Sequence, residues 1–202
     1  MKIVGVLLSC GAGLGAICCA ASGADLRVVP SVDVARYLGT WYEIASIPVS
    51  FQAFCAGGTT ATYTLLPDGR IEVLNQCYTA AGERKQAIGR AWVADKATSA
   101  KLKVSFVSFL GLWLFAADYW IIDLGADYEY AVVGHPNRNY GWILSRTPTL
   151  PEELLAGIQT RLAAQGYDVA RFRMTDQSRS IAETPKAPPA EHQYTAPCDG
   201  GK

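Results

Sequence analysis

The chain has 202 residues, of which 50% are hydrophobic and 18% are charged, and its formal net charge at pH 7 is zero. This length and apolar content predict one globular domain with a complete core. The balanced charge excludes the strongly basic surface through which proteins bind nucleic acid, so we expect no nucleic-acid partner.

Residues 1–24 are predicted to be a signal peptide. Lys2 provides a positive start, residues 3–17 are apolar and small, and small residues precede Asp25. Cysteines also lie in this segment, so lipid attachment is an alternative to plain export. Either process predicts an exported protein in an oxidising compartment. The cysteines are Cys10, Cys18 and Cys19.

Residues 25–180 are predicted to form one β domain. Short runs of aromatic, β-branched and alternating residues are separated by turn signals such as Pro67-Asp68-Gly69. This pattern is typical of an all-β antiparallel barrel or sandwich. The eight predicted strands are residues 37–47, 59–65, 71–77, 86–93, 101–107, 119–124, 128–134 and 140–146.

A single helix is predicted after the eighth strand. Thr149 is the expected N-cap, Pro151 falls in the first turn, and Gly166 ends the helix. Residues 167–175 are predicted to be a short ninth strand, and the proline-rich residues 181–202 a disordered tail. The apolar stripe of the helix consists of Leu154, Leu155, Ile158 and Leu162.

Two distant segments are predicted to meet at one end of the sheet. Gly39 and Trp41 open the first predicted strand, and Arg146 closes the eighth. A guanidinium can stack on the face of an indole ring, so we expect Arg146 to lie against Trp41. Gly39 permits a close approach of the backbone there.

Three blocks, residues 39–45, 127–133 and 142–148, resemble the lipocalin family, in particular the bacterial outer-membrane lipocalins and apolipoprotein D. The resemblance covers roughly residues 32–177. It implies an eight-stranded antiparallel up-and-down barrel, closed at one end, with one C-terminal helix packed outside. Independently, eight strands enclose an interior just wide enough for side chains or one small ligand.

The resemblance also implies a function. It is the binding, storage or transport of a small hydrophobic ligand, such as a fatty acid or lysophospholipid, for membrane maintenance in the cell envelope. It further implies a periplasmic or outer-membrane location and homodimers. We expect no enzymatic activity, cofactor or metal, because His135 and His192 lack partners at ligand spacing.

The ligand-binding residues are predicted from the resemblance and from strand alternation. The resemblance carries ligand contacts onto Tyr63, Asn75 and Trp142. Alternation adds Val104, Phe106 and Leu144, and it also predicts that Glu43 and Ala45 share the inward face of Trp41. Plain core packing is the alternative at each single position.

Cysteine pairing has two predicted solutions. A hairpin centred on residues 67–69 puts Cys77 opposite Thr59, which brings Cys55 close enough for a disulfide. The resemblance to apolipoprotein D implies the alternative pair Cys55–Cys198. Some lipocalins are isomerases that use an inward thiolate, so a free Cys77 is the enzymatic alternative.

The connection at residues 108–115 is unusually apolar for a loop. Alternation of the strands places it at the open end of the barrel, beside the loop that carries Phe51 and Phe54. One interpretation is that its side chains fold inward as a lid. The other is an exposed patch that contacts a membrane surface or a second subunit. Its apolar residues are Phe109, Leu110, Leu112, Trp113, Leu114 and Phe115.

Overall fold

A computed structural model describes residues 25–178 and contains a closed antiparallel barrel of eight strands. The last strand of the barrel pairs with both the strand before it and the first strand. This pairing closes the sheet and confirms the predicted architecture. The predictions for residues 1–24 and 181–202 lie outside the described residues. The barrel strands are β1 (Gly39–Ser46), β2 (Gly57–Leu65), β3 (Ile71–Tyr78), β4 (Arg84–Val93), β5 (Lys101–Ser105), β8 (Ala117–Leu124), β9 (Tyr130–Gly134) and β10 (Gly141–Ser145).

Further short elements complete the fold. Helix α1 (Val34–Tyr37) precedes the barrel, helix α2 (Glu152–Ala164) follows it, and β11 (Arg173–Met174) pairs with β1. The hairpin of β6 (Val107–Phe109) and β7 (Leu112–Leu114) stands where a loop was predicted. Within residues 25–178, no helix combines the length and apolar character needed to cross a bilayer.

The first core fills the inside of the barrel, mostly towards its closed end. It forms because alternate residues of each strand point to the same side of the sheet. Its buried members are Val32, Tyr37, Trp41, Tyr63, Ile71, Val73, Ala91, Ala100, Leu102, Ile121, Tyr128, Ala131, Val133 and Leu144.

The second core lies outside the barrel, under α2. The stripe residues Ile158 and Leu162 pack against outward-facing residues of β8, β9 and β10, which confirms that the helix packs outside. Arg161 on the same helix donates to Asp123 at 2.6 Å and to the Tyr130 hydroxyl at 3.0 Å. These bonds fix the helix against the wall.

Local predictions fail at three places. Tyr37 belongs to α1 and not to the first strand. The N-cap position of α2 is occupied by Pro151 instead of Thr149, and it has no side-chain cap bond.

The third difference lies in β1. The pairing of β1 with β10 shifts between Glu43 and Ala45. This bulge adds a residue to one strand and turns the following side chains over. Ala45 therefore lies in the outer core, so the prediction that it faces inward is wrong.

The connections alternate between the two ends of the barrel. Helix α1 and the turns after β2, β4 and β8 lie at the closed end. The open end carries the loop after β1, the turns after β3 and β9, and the β6–β7 hairpin.

Candidate functional site in the barrel

The closed end is tied together by Trp41 and Arg146. The guanidinium carbon of Arg146 lies 3.8 Å from the centroid of the Trp41 ring, which is fully buried. Arg146 also donates to the carbonyl oxygens of Thr40 at 3.0 Å and Arg36 at 2.7 Å. The contact joins the end of β10 to α1 and β1.

Gly39 makes that approach possible. Its φ is +91°, a left-handed value that favours glycine. A Cβ built on Gly39 would lie 3.4 Å from a terminal nitrogen of Arg146. A side chain here would therefore strain the backbone, and its Cβ would come into contact with the guanidinium.

Three tyrosine hydroxyls meet above this base. The Tyr119 hydroxyl lies 2.8 Å from the Tyr37 hydroxyl and 2.8 Å from the Tyr63 hydroxyl. Burial raises the pKa of Tyr37 and of Tyr119 well above the usual value, and raises the pKa of Tyr63 to about 12. All three are therefore neutral O–H groups near neutral pH.

The wall above the tyrosines retains accessible surface inside the barrel. Asn75, Val104 and Trp142 belong to inward-facing rows of their strands, yet each is only partly buried. Asn75 pairs with Ala61, whose other partner is the inward Trp41. Among the described residues, the Asn75 carboxamide has no side-chain hydrogen bond. This section of the inner wall is the candidate ligand-binding site.

Tyr63 and Leu144 lie deeper than the other predicted ligand-binding residues. Both are buried in the inner core, where Tyr63 bonds to Tyr119. Phe106 instead lies at the mouth, beyond the end of β5, and is 41% exposed. Its ring occupies the space that a Cβ on Gly89 would fill, at 2.8 Å. The six predicted residues thus span the barrel from base to mouth.

Glu43 is a buried carboxyl group in the middle of β1, opposite Leu144 and only 7% exposed. It accepts hydrogen bonds from Ser46 at 3.0 Å, Thr175 at 2.6 Å and Gln52 at 3.5 Å. Burial raises the pKa of Glu43, and these three hydrogen bonds oppose the increase. Gln52 also accepts from the Trp142 indole at 3.4 Å, so it connects the loop after β1 to the inner wall.

Residues 175–177, called here the C-terminal segment, fill a gap between β1 and β2. These two strands pair only between Gly39–Tyr42 and Thr60–Tyr63, and the segment lies between them where that pairing ends. Gln177 donates from its carboxamide to the carbonyl oxygens of Glu43 at 2.7 Å and Thr59 at 2.8 Å. A Cβ on Gly57 would lie 2.4 Å from the Asp176 carbonyl, so only glycine fits there.

Cys55 and Cys77 form a disulfide with a Cα–Cα distance of 5.6 Å. The β2–β3 register shifts between Gly57 and Thr60, and this irregularity lies between Cys55 and the strand residues that face Cys77. The disulfide Cys55–Cys77 agrees with the first of the two predicted pairings. Cys198, the other predicted partner of Cys55, lies outside the described residues. Because Cys77 is oxidised, it cannot serve as an isomerase thiolate.

The β6–β7 hairpin projects its apolar side chains into solvent. Leu110 and Phe115 are each 85% exposed, Leu112 is 66% exposed and Phe109 is 64% exposed. These four residues therefore do not form an inward lid. Trp113 is partly buried, and its ring centroid lies 5.2 Å from the guanidinium carbon of Arg90.

The base of the hairpin is fixed to the barrel. Ser105 is buried, and its hydroxyl oxygen contacts the carbonyl oxygens of Val107 and Leu114. The tip has φ values of +49° at Leu110 and +79° at Gly111, the combination of a tight hairpin turn. Leu110 thus combines a left-handed backbone conformation with an exposed side chain that gains nothing from packing.

The sequence analysis did not predict several residues of the candidate site. Tyr119 could have been found, because alternation along 119–124 places it on the same face as Ile121. Gln52 and Gln177 lie in irregular segments, where no periodic signal marks a contact. Their roles follow only from the folded backbone.

The sequence was compared with known families and proteins. Residues 32–177 match the model of the family described as a lipocalin-like domain. Temperature-induced lipocalin-1 of Arabidopsis thaliana is 42% identical over 167 residues, covering 81% of this chain and 89% of the relative. Outer membrane lipoprotein Blc of Escherichia coli K12 is 38% identical over 156 residues, covering 77% and 85%. Apolipoprotein D of Mus musculus is 36% identical over 159 residues, covering 75% and 80%.

A solved structure agrees with the fold. Insecticyanin from the tobacco hornworm Manduca sexta aligns with a TM-score of 0.62 at 20% identity, covering 75% of this chain and 84% of that chain. The similarity extends over the barrel, and the family match spans the strands and the outer helix. The chain belongs to the lipocalin family.

Proposed function

We propose that this protein binds one small hydrophobic ligand, such as a fatty acid or lysophospholipid, inside the barrel and carries it within the cell envelope for membrane maintenance. The observation that carries the proposal is the set of inward-facing residues Asn75, Val104 and Trp142, which are only partly buried beside the inner core. Apolar walls provide binding free energy of about 25 cal/mol per Å² of buried surface. A few polar groups then fix the ligand's orientation.

The family supports the ligand class. Lipocalins as a family bind and transport small hydrophobic molecules, and binding does not require a catalytic group. The relative named outer membrane lipoprotein supports export to the envelope. We therefore infer reversible sequestration in the periplasm or at the outer membrane.

We further propose that the open end contacts a bilayer. The exposed hairpin residues and the exposed Phe51 and Phe54 all belong to connections at that end. An apolar patch at the entrance of a cavity favours a partner that both covers the patch and supplies the ligand. A lipid surface meets both requirements.

Replacement of Trp142 by Ala tests the site of binding. We expect about a tenfold loss of affinity for oleate or lysophosphatidylcholine, equivalent to about 1.4 kcal/mol, in a fluorescence titration. Trp120→Ala is the matched control, because that indole lies on the outer face, with Lys101 4.3 Å from its ring centroid. Equal affinities for the Trp142 variant and the wild type would contradict a ligand inside the barrel.

A further inference from the structure

The three tyrosines at the base of the candidate site come from separate elements. Tyr37 ends α1, Tyr63 lies in β2 and Tyr119 lies in β8. Their rings pack edge to face, with centroids 5.5 Å apart for Tyr37 and Tyr63 and 6.2 Å apart for Tyr63 and Tyr119. The fold therefore brings three hydroxyl groups together inside an apolar core.

The tyrosine cluster has more hydroxyl hydrogens than hydrogen bonds between its hydroxyls. Three hydroxyls carry three protons, whereas the cluster has two hydroxyl–hydroxyl contacts, each of which uses one proton. Whichever hydroxyls donate, one O–H group has no acceptor among residues 25–178. A buried donor without an acceptor is unfavourable, so the site favours a molecule that brings one.

The tyrosine cluster lies on the inner wall of the barrel. Tyr37 and Tyr63 are buried, whereas Tyr119 is only partly buried and pairs across the sheet with Leu102 of the inner core. Because directly paired residues of neighbouring strands point to the same side of the sheet, the Tyr119 side chain points into the barrel. The hydroxyls remain protonated near neutral pH, because burial raises their pKa values.

The chemistry of the cluster selects the type of acceptor. One neutral O–H group suits a neutral oxygen, whereas a carboxylate without further donors would lose too much hydration to be buried there. Arg146 does not serve as a direct partner, because it lies against Trp41 and donates to backbone carbonyls. The base thus matches a carbonyl or hydroxyl oxygen at the end of an apolar chain or ring.

We propose that the tyrosine cluster is a hydrogen-bonding subsite for a neutral ligand oxygen, and that the preferred ligand enters the barrel with a ketone, ester or alcohol group first. This assignment rests on the proposed function and adds neutral, oxygen-bearing apolar molecules to its ligand class. A fatty acid would have to enter with its hydrocarbon end first, because its carboxylate does not fit this subsite.

Competition binding with a matched pair of ligands tests the subsite. The probes are 2-dodecanone and dodecane, each displacing N-phenyl-1-naphthylamine from the full chain. We expect Tyr119→Phe to weaken 2-dodecanone binding about fivefold to tenfold while dodecane binding changes less than about twofold, as for loss of one hydrogen bond. Tyr42→Phe, next to Trp41 but on the opposite face of β1, should change neither affinity.

The alternative outcomes are distinct. If Tyr119→Phe weakens both ligands equally, or neither, the cluster only packs and the subsite is absent. If neither ligand displaces the probe from the wild type, the proposed function itself fails. Should Tyr119→Phe not fold, Tyr63→Phe serves as the second variant, and an unchanged ratio of the two affinities would overturn the proposal.

Discussion

Two ionisable side chains beside the inner core have different electrostatic surroundings. Arg146 at the closed end stacks on Trp41 and donates to two backbone carbonyls. Glu43 in the middle of β1 is buried, and hydrogen bonds from three neutral donors favour its charged form. Burial nevertheless raises the pKa of Glu43, so its titration should affect stability.

Replacement of Glu43 by Gln should change how stability depends on pH. A carboxyl group whose pKa is raised in the folded state stabilises fully below its unfolded pKa, near 4.5, and loses that contribution as pH rises through the folded pKa. We therefore expect the stability of wild type relative to Glu43→Gln to fall as the pH rises above about 4.5 and through the raised pKa of Glu43.

Urea unfolding at several pH values measures this difference. Glu152→Gln, at an exposed carboxyl group on α2, is the control for the loss of one negative charge. A wild-type minus Glu43→Gln difference that stays constant with pH would show that Glu43 is not the buried titrating group described here.

Removal of the Arg146 side chain should destabilise the closed end. Arg146→Ala loses one stacking contact and two charged hydrogen bonds, for which we expect about 2 kcal/mol. For a chain of this size, that corresponds to a decrease in Tm of about 4–8 °C, measured by thermal unfolding. Arg146→Lys keeps the positive charge but lacks the planar guanidinium group. It should therefore recover less than half of the stability that Arg146→Ala loses. A fully stable Arg146→Lys variant would contradict a role for the stack.

Two elements, the C-terminal segment and the β6–β7 hairpin, have opposite relations to the barrel. The C-terminal segment joins β1 to β2 through Gln177 and through the Thr175 amide, which donates to the Ile44 carbonyl at 2.9 Å. The β6–β7 hairpin does the reverse, because it carries apolar side chains away from the core. The hairpin is the element through which we propose membrane contact.

The double variant Leu110→Asn with Phe115→Asn should reduce binding to vesicles without loss of stability. Both residues have left-handed φ values, +49° and +54°, which asparagine tolerates better than leucine or phenylalanine. Vesicle cosedimentation should show a decrease of about tenfold or more, because burial of each apolar side chain contributes about 1.5–3 kcal/mol.

Leu65→Asn is the matched control for this variant, since Leu65 is 51% exposed but lies at the closed end. It should leave vesicle binding unchanged. If the double variant binds vesicles as tightly as wild type, the hairpin does not contact the membrane. Loss of a dimer in the same variant, with vesicle binding intact, would assign the patch to a subunit contact.

At the scale of the whole molecule, the barrel could be predicted because its signals are local and repeated. Alternation and the turn at residues 67–69 predict the β2–β3 register, which the bond from Leu66 N–H to the Arg70 carbonyl at 2.8 Å confirms. That register in turn placed Cys77 near Cys55. The resemblance to lipocalins predicted closure of the sheet.

The features that depend on three-dimensional fit could not be predicted. The bulge after Glu43 moves Ala45 outward, and nothing in the alternation of β1 signals it. The position of Gln177 depends on a gap between two strands 118 and 134 residues away in sequence. The contact between the three tyrosine hydroxyls likewise could not be predicted, because it depends on how three separate elements pack in the barrel.

Native mass spectrometry of the full-length protein, isolated from the envelope of its own host, tests the central claim most directly. We predict a one-to-one adduct with the mass of a fatty acid, lysophospholipid or similar molecule. Ala61→Trp, which fills the inner wall beside Asn75, should lack the adduct, whereas Thr62→Trp on the outer face should retain it. A wild-type protein that carries no adduct, even after incubation with lipid vesicles, would contradict ligand binding inside the barrel.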